Sequence, residues 1–431
     1  MKEATMRPAL LIASTLALGL SVSAAAKSAA QPATAPERVA AAALQAAPVF
    51  DGHNDVPEQL RDRRKNVLAG FDFADTANTG DPATGTAPMQ TDLARLHQGH
   101  VGAQFWSVYV SANLPEPQAV QATLEQIDVI RRLIARYPAD MVLCTTAACA
   151  TRAMQAGRIA SFIGMEGGHS IGSSLGVLRQ MYGLGARYMT LTHFRSTSWA
   201  DAATDAPAHD GLTPLGIQVV REMQRLGMLV DLSHTSAATM LDALDVAQAP
   251  VIFSHSGALA INHSPRNVPD AVLDRLKANG GIVMVDAYPA YVNERVRLWN
   301  ADRAAQEARL KALNPGDAAA AKAALAEWDM ANPMPRTSAA DMADHIDHIV
   351  KRIGIDHVGL GGDYDGIETT IDGMADVAGY PVLFTELARR GYTQRDLQHL
   401  ANGNILRVMR ACEAYSAAHA NDAPQESPTT F

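Results

Sequence analysis

The residues of this chain best suited to chemistry are histidines and carboxylates that follow short apolar runs. "DGHND" sets His53 and Asp55 two positions apart, "GMEGG" carries Glu166, and "LTHF" carries His193. "DLSHTS" adds His234, "FSHSG" adds His255, and "GGDYDG" ends the series with Asp363 and Asp365. Neutral imidazoles and carboxylates without thiolates suit a borderline cation such as Zn²⁺. The set is large for one tetrahedral ion. Two ions sharing a carboxylate would use five ligands, lower the pKa of a water held between them and polarise a carbonyl oxygen. Hydrolysis of an amide or ester is the matching reaction class. Taken singly, each residue has a plainer explanation, since a His-x-Asp pair often ends a strand and a lone histidine often sits hydrogen-bonded in a core. The joint pattern, six run ends each carrying a ligand type, favours a metal site.

Such a pattern needs an architecture that brings many segment ends to one face. Eight apolar runs alternate with segments of helical period. They are Ala47–Phe50, Gly102–Val110, Ile159–Met165, Ala186–Thr192, Gly227–Ser233, Pro250–His255, Gly281–Tyr288 and His357–Asp363. Helical stretches between them include Ser174–Gly185, Thr213–Gly227 and Val268–Gly280, the last bounded by Pro269 and Gly280 as helix ends prefer. Eight alternating units predict an α/β fold, a closed parallel (β/α)8 TIM-like barrel, in preference to an open doubly wound sheet. Catalytic groups of such barrels come from the carboxyl ends of the strands. By that rule His345, His348 and His357 fall before the eighth strand and read as a partly exposed helix face. His97 and His100 precede the second strand, His209 and His263 sit in loops, and His169 is placed to hydrogen-bond behind the site.

Composition bounds the rest. The 431 residues, 48% of them hydrophobic, supply a large core, and a formal net charge of −9 without a basic run argues against nucleic acid or an anionic membrane surface as partner. Residues 1–26 read as an export signal, with Lys2 and Arg7, the apolar core Ala9–Val22 and the small residues Ser23–Ala26. That core is shorter than the ~20 residues of a membrane span, so no stable membrane insertion is expected. Residues 27–46 read as a linker, disordered in its first part. Residues 47–414 read as the barrel, with a helical insertion at 301–333 broken at "NPGD", and 415–431 as a disordered polar tail. Cys144, Cys149 and Cys412 allow at most one internal bridge, and three free thiols fit equally well.

In chain order, "DGHNDVP", "GMEGGHSIGSSLGVLRQMYGLGARYMTLTH", "WAD", "SHTSAATM", "APVIFSHS", "SPRNVPD" and "GGDYDG" resemble the renal, or membrane, dipeptidase family, dinuclear zinc peptidases of the amidohydrolase type. The resemblance runs from about Val49 to Val408. It implies a barrel of metal-dependent hydrolase type with two Zn²⁺ per chain. His53 and Asp55 would hold one ion, His234 and His255 the other, and Glu166 would bridge them. His193 matches the family histidine that contacts substrate and stabilises the oxyanion. Arg266 matches the arginine that binds the substrate carboxylate, and Asp363 the acid that moves a proton between nucleophile and leaving amine. Tyr291 in "DAYPAY" occupies a substrate-contact position. The implied activity is hydrolysis of dipeptides with a free C-terminal carboxylate by a zinc-bridging hydroxide. A hydrolase of N-acyl amino acids or β-lactam rings on the same site is the alternative. A homodimer is also implied, and with the export signal a periplasmic or secreted enzyme. Phe194 stands where vertebrate relatives have a small residue, and the disulfide cysteine that follows there is absent, which bears on the side-chain pockets and not on the metal ligands.

Overall fold

The computed structural model describes Met1 and residues 33–426. The export-signal reading, Met1 apart, residues 27–32 of the linker and the end of the chain from 427 lie outside the described residues. Nine short strands occur among the described residues: β1 (Val49–Asn54), β2 (Val101–Tyr109), β3 (Met141–Leu143), β4 (Ile159–Glu166), β5 (Ala186–Thr190), β6 (Leu229–Asp231), β7 (Ile252–Phe253), β8 (Ile282–Asp286) and β9 (Val358–Gly361). Their pairings are all parallel. β1 pairs with β2 and β9, β2 pairs with β4, and the ladder runs on through β5, β6, β7 and β8 to β9. The result is the expected closed (β/α)8 barrel, its strands being the eight runs read from the sequence. β3 is an addition. It pairs with the Ile159–Ser161 half of β4, while β5 takes the Ile163–Met165 half. Three residues are too few to show a period of two.

Two strands stop earlier than their apolar runs. The Asp231 carboxylate accepts the backbone N–H of Ser233 and of Ser254, at 3.1 and 2.8 Å, and Ser233 Oγ accepts that of His255 at 3.1 Å. Side chains thus take the donors a ladder would use, which ends β6 at Asp231 and β7 at Phe253.

Inside the ring, Phe50, Phe105 and Phe162 pack with centroids 5.2 to 5.4 Å apart, and Tyr188 lies 4.8 Å from Phe105. Aromatic pairs at such distances add roughly 0.5–1.5 kcal/mol beyond their buried area, so this layer is a firm floor for the barrel mouth. Tyr188 crosses the ring only because residue 164 is glycine: a Cβ there would stand 2.1 Å from Tyr188 Cζ. Gly164→Ala is expected to cost about 1–3 kcal/mol of stability by overpacking. A thermal unfolding curve matching the unsubstituted protein would contradict this close approach.

Three expectations at the margins need correction. The linker read over 27–46 holds a helix, Ala35–Ala46, with Ala40, Ala43 and Leu44 buried against the helices Tyr380–Arg389 and Gln394–Gln398. Its alanines suggested low complexity, yet their spacing makes one small-residue face suited to close helix packing. The tail read as disordered from 415 continues the helix Asn404–Ala418, and Gln425 is pinned by its N–H to Glu222 and its carbonyl to Arg179. The insertion read over 301–333 forms a helical hairpin, Glu294–Leu313 and Ala318–Ala331, whose first helix begins seven residues earlier than that reading.

The third correction is His345. It is fully buried on the helix Ala339–Ile353, where Nδ1 accepts the N–H of Ala258 and Nε2 donates to Val292 O. Position before the last strand suggested exposure, but the helix period places His345 beside Met342, Ile346 and Ile349 on the buried face. His348 and His357 are partly exposed as expected, the first paired with Asp270 and the second hydrogen-bonded to Gly281 O. Burial holds the His345 imidazole down at about 4 from an ordinary 6.5. The unfolded chain therefore takes up this proton first as pH falls. Stability from His345 is full above pH ~6.5 and is lost toward pH ~4, by on the order of 3 kcal/mol. Urea midpoints of His345→Gln should show a flatter dependence across that window than the unsubstituted protein, and parallel curves would refute the assignment.

Candidate metal centre

The sequence-predicted ligands emerge together at the carboxyl mouth of the barrel. His53 lies in β1, Asp55 opens the helix Val56–Arg64, and Glu166 ends β4. His193 and His234 stand three residues beyond β5 and β6, and His255 and Asp363 two residues beyond β7 and β9. His234, Asp363 and Asp365 adopt left-handed backbone, with φ of 65°, 56° and 68°. Residues other than glycine hold this conformation only where their surroundings fix it, and such positions concentrate at functional sites.

Glu166 is the centre of the cluster. Its Oε2 lies 3.4 Å from His53 Nε2 and accepts the Ser107 hydroxyl at 3.0 Å. Its Oε1 lies 3.1 Å from His234 Nε2, 3.4 Å from His255 Nε2 and 3.5 Å from His193 Nε2. His53 Nε2 is also 3.4 Å from Asp55 Oδ2 and 3.8 Å from Asp363 Oδ1. Donor atoms close enough to share an ion form three overlapping groups: His53 with Asp55 and Glu166, Glu166 with His193 and His234, and His53 with His255 and Asp363. One carboxylate oxygen thus serves each of two adjoining positions.

The donor set fits cations better than it fits itself. His53 Nε2 and Asp55 Oδ1 are buried without hydrogen-bond partners. His234 Nε2 and His255 Nε2 face each other at 3.0 Å, where at most one of them can donate. Unmet buried polar groups cost about 1–3 kcal/mol each, and a cation among them satisfies several at once.

Electrostatics agree. Burial alone would raise the Glu166 carboxyl, but His53 and His193 outweigh it and hold it well below the carboxylate range. Burial pulls His53 down, yet Tyr188, Glu166 and Asp55 lift it well above an ordinary imidazole. His234 and His255 are held well below theirs, first by burial, then by Arg266 and His193 for the one and by His53 for the other. His234 and His255 are thus kept neutral, as ligands must be, while the lift on His53 reflects carboxylates that attract the positive charge a cation would supply.

Above the cluster opens a cavity of about 660 Å³. Arg266 and Tyr291 line it, the guanidinium 5.2 Å from the Tyr291 ring centroid. Arg266 is 1% exposed, its Nη2 donates to His255 O at 3.2 Å and its Nη1 to Ser256 Oγ at 3.5 Å, and its Nε has no partner. A buried guanidinium with donors to spare and no ion pair among the described residues has the chemistry to receive a carboxylate. Glu58, Asp62 and Glu368 give the cavity an acidic wall, and Phe194 stands half-exposed in it against His193 and His234. Burial, then the nearby Asp55 charge, pushes Glu58 up to about 8.

Not every sequence candidate joins the cluster. Asp365 lines the cavity but its Oδ1 accepts the Gln90 N–H, tying two loops together. His169 is buried and donates to Val110 O, outside the donor groups. Several contributors went unread. Ser107 reaches Glu166, Tyr188 OH lies 2.8 Å from His53 Nδ1, and Gly366 leaves room for Asp55, whose Oδ2 would be 2.3 Å from a Cβ there. For Ser107 and Tyr188 the signal is a polar group inside an apolar strand run; Gly366 lies in the loop after β9 and carries none. Cys144 and Cys149 are bridged and Cys412 is a buried thiol, and none of them belongs to the donor groups.

The model of the family described as membrane dipeptidase (peptidase family M19) matches residues 37–423 of the chain. A Schizosaccharomyces pombe protein named as an uncharacterized dipeptidase is 39% identical over 393 residues, 88% of this chain and 84% of that one. Among solved structures, the probable dipeptidase PvdM of Pseudomonas aeruginosa superposes with a TM-score of 0.74 at 23% identity, covering 88% of this chain and 99% of its own. A metallopeptidase of Rhodobacter sphaeroides, solved with a phosphinate mimic of L-Ala-D-Ala, gives 0.67 at 23% identity over 85% and 99%.

Proposed function

The chain belongs to the membrane dipeptidase family, peptidase family M19, and from that premise we propose that this metallo-dipeptidase uses two zinc ions to cleave dipeptides bearing a free C-terminal carboxylate. The observation that carries the reading is the division of the Glu166 carboxylate, Oε2 toward His53 and Oε1 toward His234 and His255, below a cavity that holds the buried Arg266. His53 and Asp55 would hold one ion, His234 and His255 the other, and Glu166 both.

When bound, such an ion pair supplies an activated water near neutral pH and polarises the scissile carbonyl. The chain does the remainder. Arg266 takes the substrate carboxylate on its planar fork of donors, with Tyr291 against its face, and so fixes the length of peptide that fits. His193, packed between the rings of Tyr109 and Phe194, offers an N–H to the carbonyl oxygen as charge develops there. Asp363 accepts the proton of the attacking water at a carboxylate oxygen and returns it to the leaving amine. Asp62 and Glu368 on the cavity wall favour the ammonium end of a dipeptide over an N-acyl group, which gains nothing from negative charge.

A turnover panel of L,L- and L,D-dipeptides, dipeptide amides, N-acyl amino acids and a β-lactam tests this. Free dipeptides should be cleaved fastest. Preference for an N-acyl or amidated substrate would overturn the proposal. Export to an oxidising compartment belongs to the same proposal, supported by the N-terminal charge and apolar pattern and by the Cys144–Cys149 bridge. N-terminal sequencing of the mature protein decides it. A homodimer rests on the family resemblance alone, and sedimentation distinguishes it from a monomer.

A further inference from the structure

Beneath the cluster, the buried carboxylate of Asp231 ends β6 and receives four hydrogen bonds. Ser233 N and Ser254 N donate to Oδ1 at 3.1 and 2.8 Å. Thr190 Oγ1 and Ser254 Oγ donate to Oδ2, both at 2.6 Å. Ser254 Oγ is in turn 2.8 Å from His255 Nδ1. A serine hydroxyl has one proton. The short, charge-assisted bond to Asp231 claims it, and its other possible acceptor, Ser233 Oγ, is farther away at 3.5 Å. Toward His255 the hydroxyl can therefore only accept. Nδ1 must carry the ring proton, and the lone pair is left on Nε2, the nitrogen that faces Glu166 and His234.

We propose that Asp231 is a positioning residue that acts through Ser254 to fix the tautomer and orientation of His255, so that Nε2 is presented as a metal ligand. This rests on the reading of His255 as a ligand. A fixed partner on the second ring nitrogen is a recurrent feature of ligating histidines, and its loss typically lowers metal affinity ~10–100-fold. Asp231 differs from a simple partner because it sits one residue further back and controls the direction of an intervening hydroxyl. Thr190 and the two backbone donors keep the carboxylate in place independently of His255.

The chain of protons makes a directional prediction. In Asp231→Asn the backbone N–H groups of Ser233 and Ser254 hold the amide oxygen where Oδ1 was, so the amide NH₂ takes the place of Oδ2 and donates to Ser254 Oγ. The serine proton then turns to His255 Nδ1, its nearest acceptor, and Nε2 becomes protonated and unfit to bind. Ser254→Ala removes the relay without imposing the wrong tautomer, and Ser254→Thr retains a hydroxyl.

The test has two readouts on the full chain. Competition of the zinc-loaded enzyme with a chromophoric chelator gives the affinity of each ion. Nitrogen-15 correlation spectra of the zinc-free, histidine-labelled protein give the tautomer of His255, assigned by its loss in His255→Gln. Zinc affinity at one of the two sites is expected to fall ~10–100-fold in Asp231→Asn, less in Ser254→Ala, and to recover in Ser254→Thr. The Nδ1–H signal of His255 should be replaced by Nε2–H in Asp231→Asn. Unchanged zinc affinity in a folded Asp231→Asn, or in Ser254→Ala should the first variant not fold, overturns the inference. The tautomer readout needs neither metal nor activity, so an Nδ1–H signal with no zinc binding in the unsubstituted protein would instead overturn the metal reading.

Discussion

Glu166→Gln is expected to lower dipeptide turnover by on the order of 10³-fold or more and to leave purified protein with no more than one of two zinc ions. The two carboxylate oxygens face different imidazoles, Oε2 toward His53 and Oε1 toward His234 and His255. An amide keeps one acceptor and turns an NH₂ toward either the other imidazoles or the cation they would hold. Metal activation of a water and a carbonyl contributes several kcal/mol to the transition state. At about 1.4 kcal/mol per tenfold, that is the factor expected. The protein without metal also loses the counter-charge of His53, so thermal unfolding should accompany the kinetics to separate a folded variant from an unfolded one. A folded Glu166→Gln that keeps both ions and a tenth of the activity would remove the basis for a shared carboxylate.

Arg266→Ala carries the second largest effect. A charge-assisted hydrogen bond contributes about 1.5–3 kcal/mol, and a fork that makes two to a substrate carboxylate accounts for roughly 10²–10³-fold in kcat/KM. The diagnostic is selectivity as well as rate. Arg266→Ala should treat a dipeptide and its amide nearly alike, because the discriminating charge is gone. Arg266→Lys should recover little, since a point charge does not reproduce a planar fork stacked on Tyr291. A substitution that slowed both substrates equally and kept their ratio would assign Arg266 to structure and not to recognition.

Much of this centre was legible in the sequence for one physical reason. A parallel barrel sends every strand's carboxyl end to one face, so ligand-type residues just after apolar runs converge although far apart in the chain. His53, Glu166, His234 and His255 needed no more than that rule, and the family resemblance divided them between two ions. What escaped depended on side-chain direction or on short elements. Asp231 and Ser254 look like ordinary strand-end residues until their hydrogen bonds are traced. Tyr188 reads as core, and its hydroxyl acquires a role only because Gly164 lets the ring cross the barrel. The burial of His345 follows from its helix face and not from its position in the chain, and the alanine-rich composition of Ala35–Ala46 hides a packing stripe. β3 pairs over three residues, below what any period can reveal.

The most direct measurement is anomalous diffraction at the zinc absorption edge from crystals of the zinc-loaded protein. The account predicts two peaks in each chain flanking the Glu166 carboxylate, one beside His53 and Asp55 and one beside His234 and His255. A single peak in crystals of fully active protein, or two peaks that do not share Glu166, would contradict it.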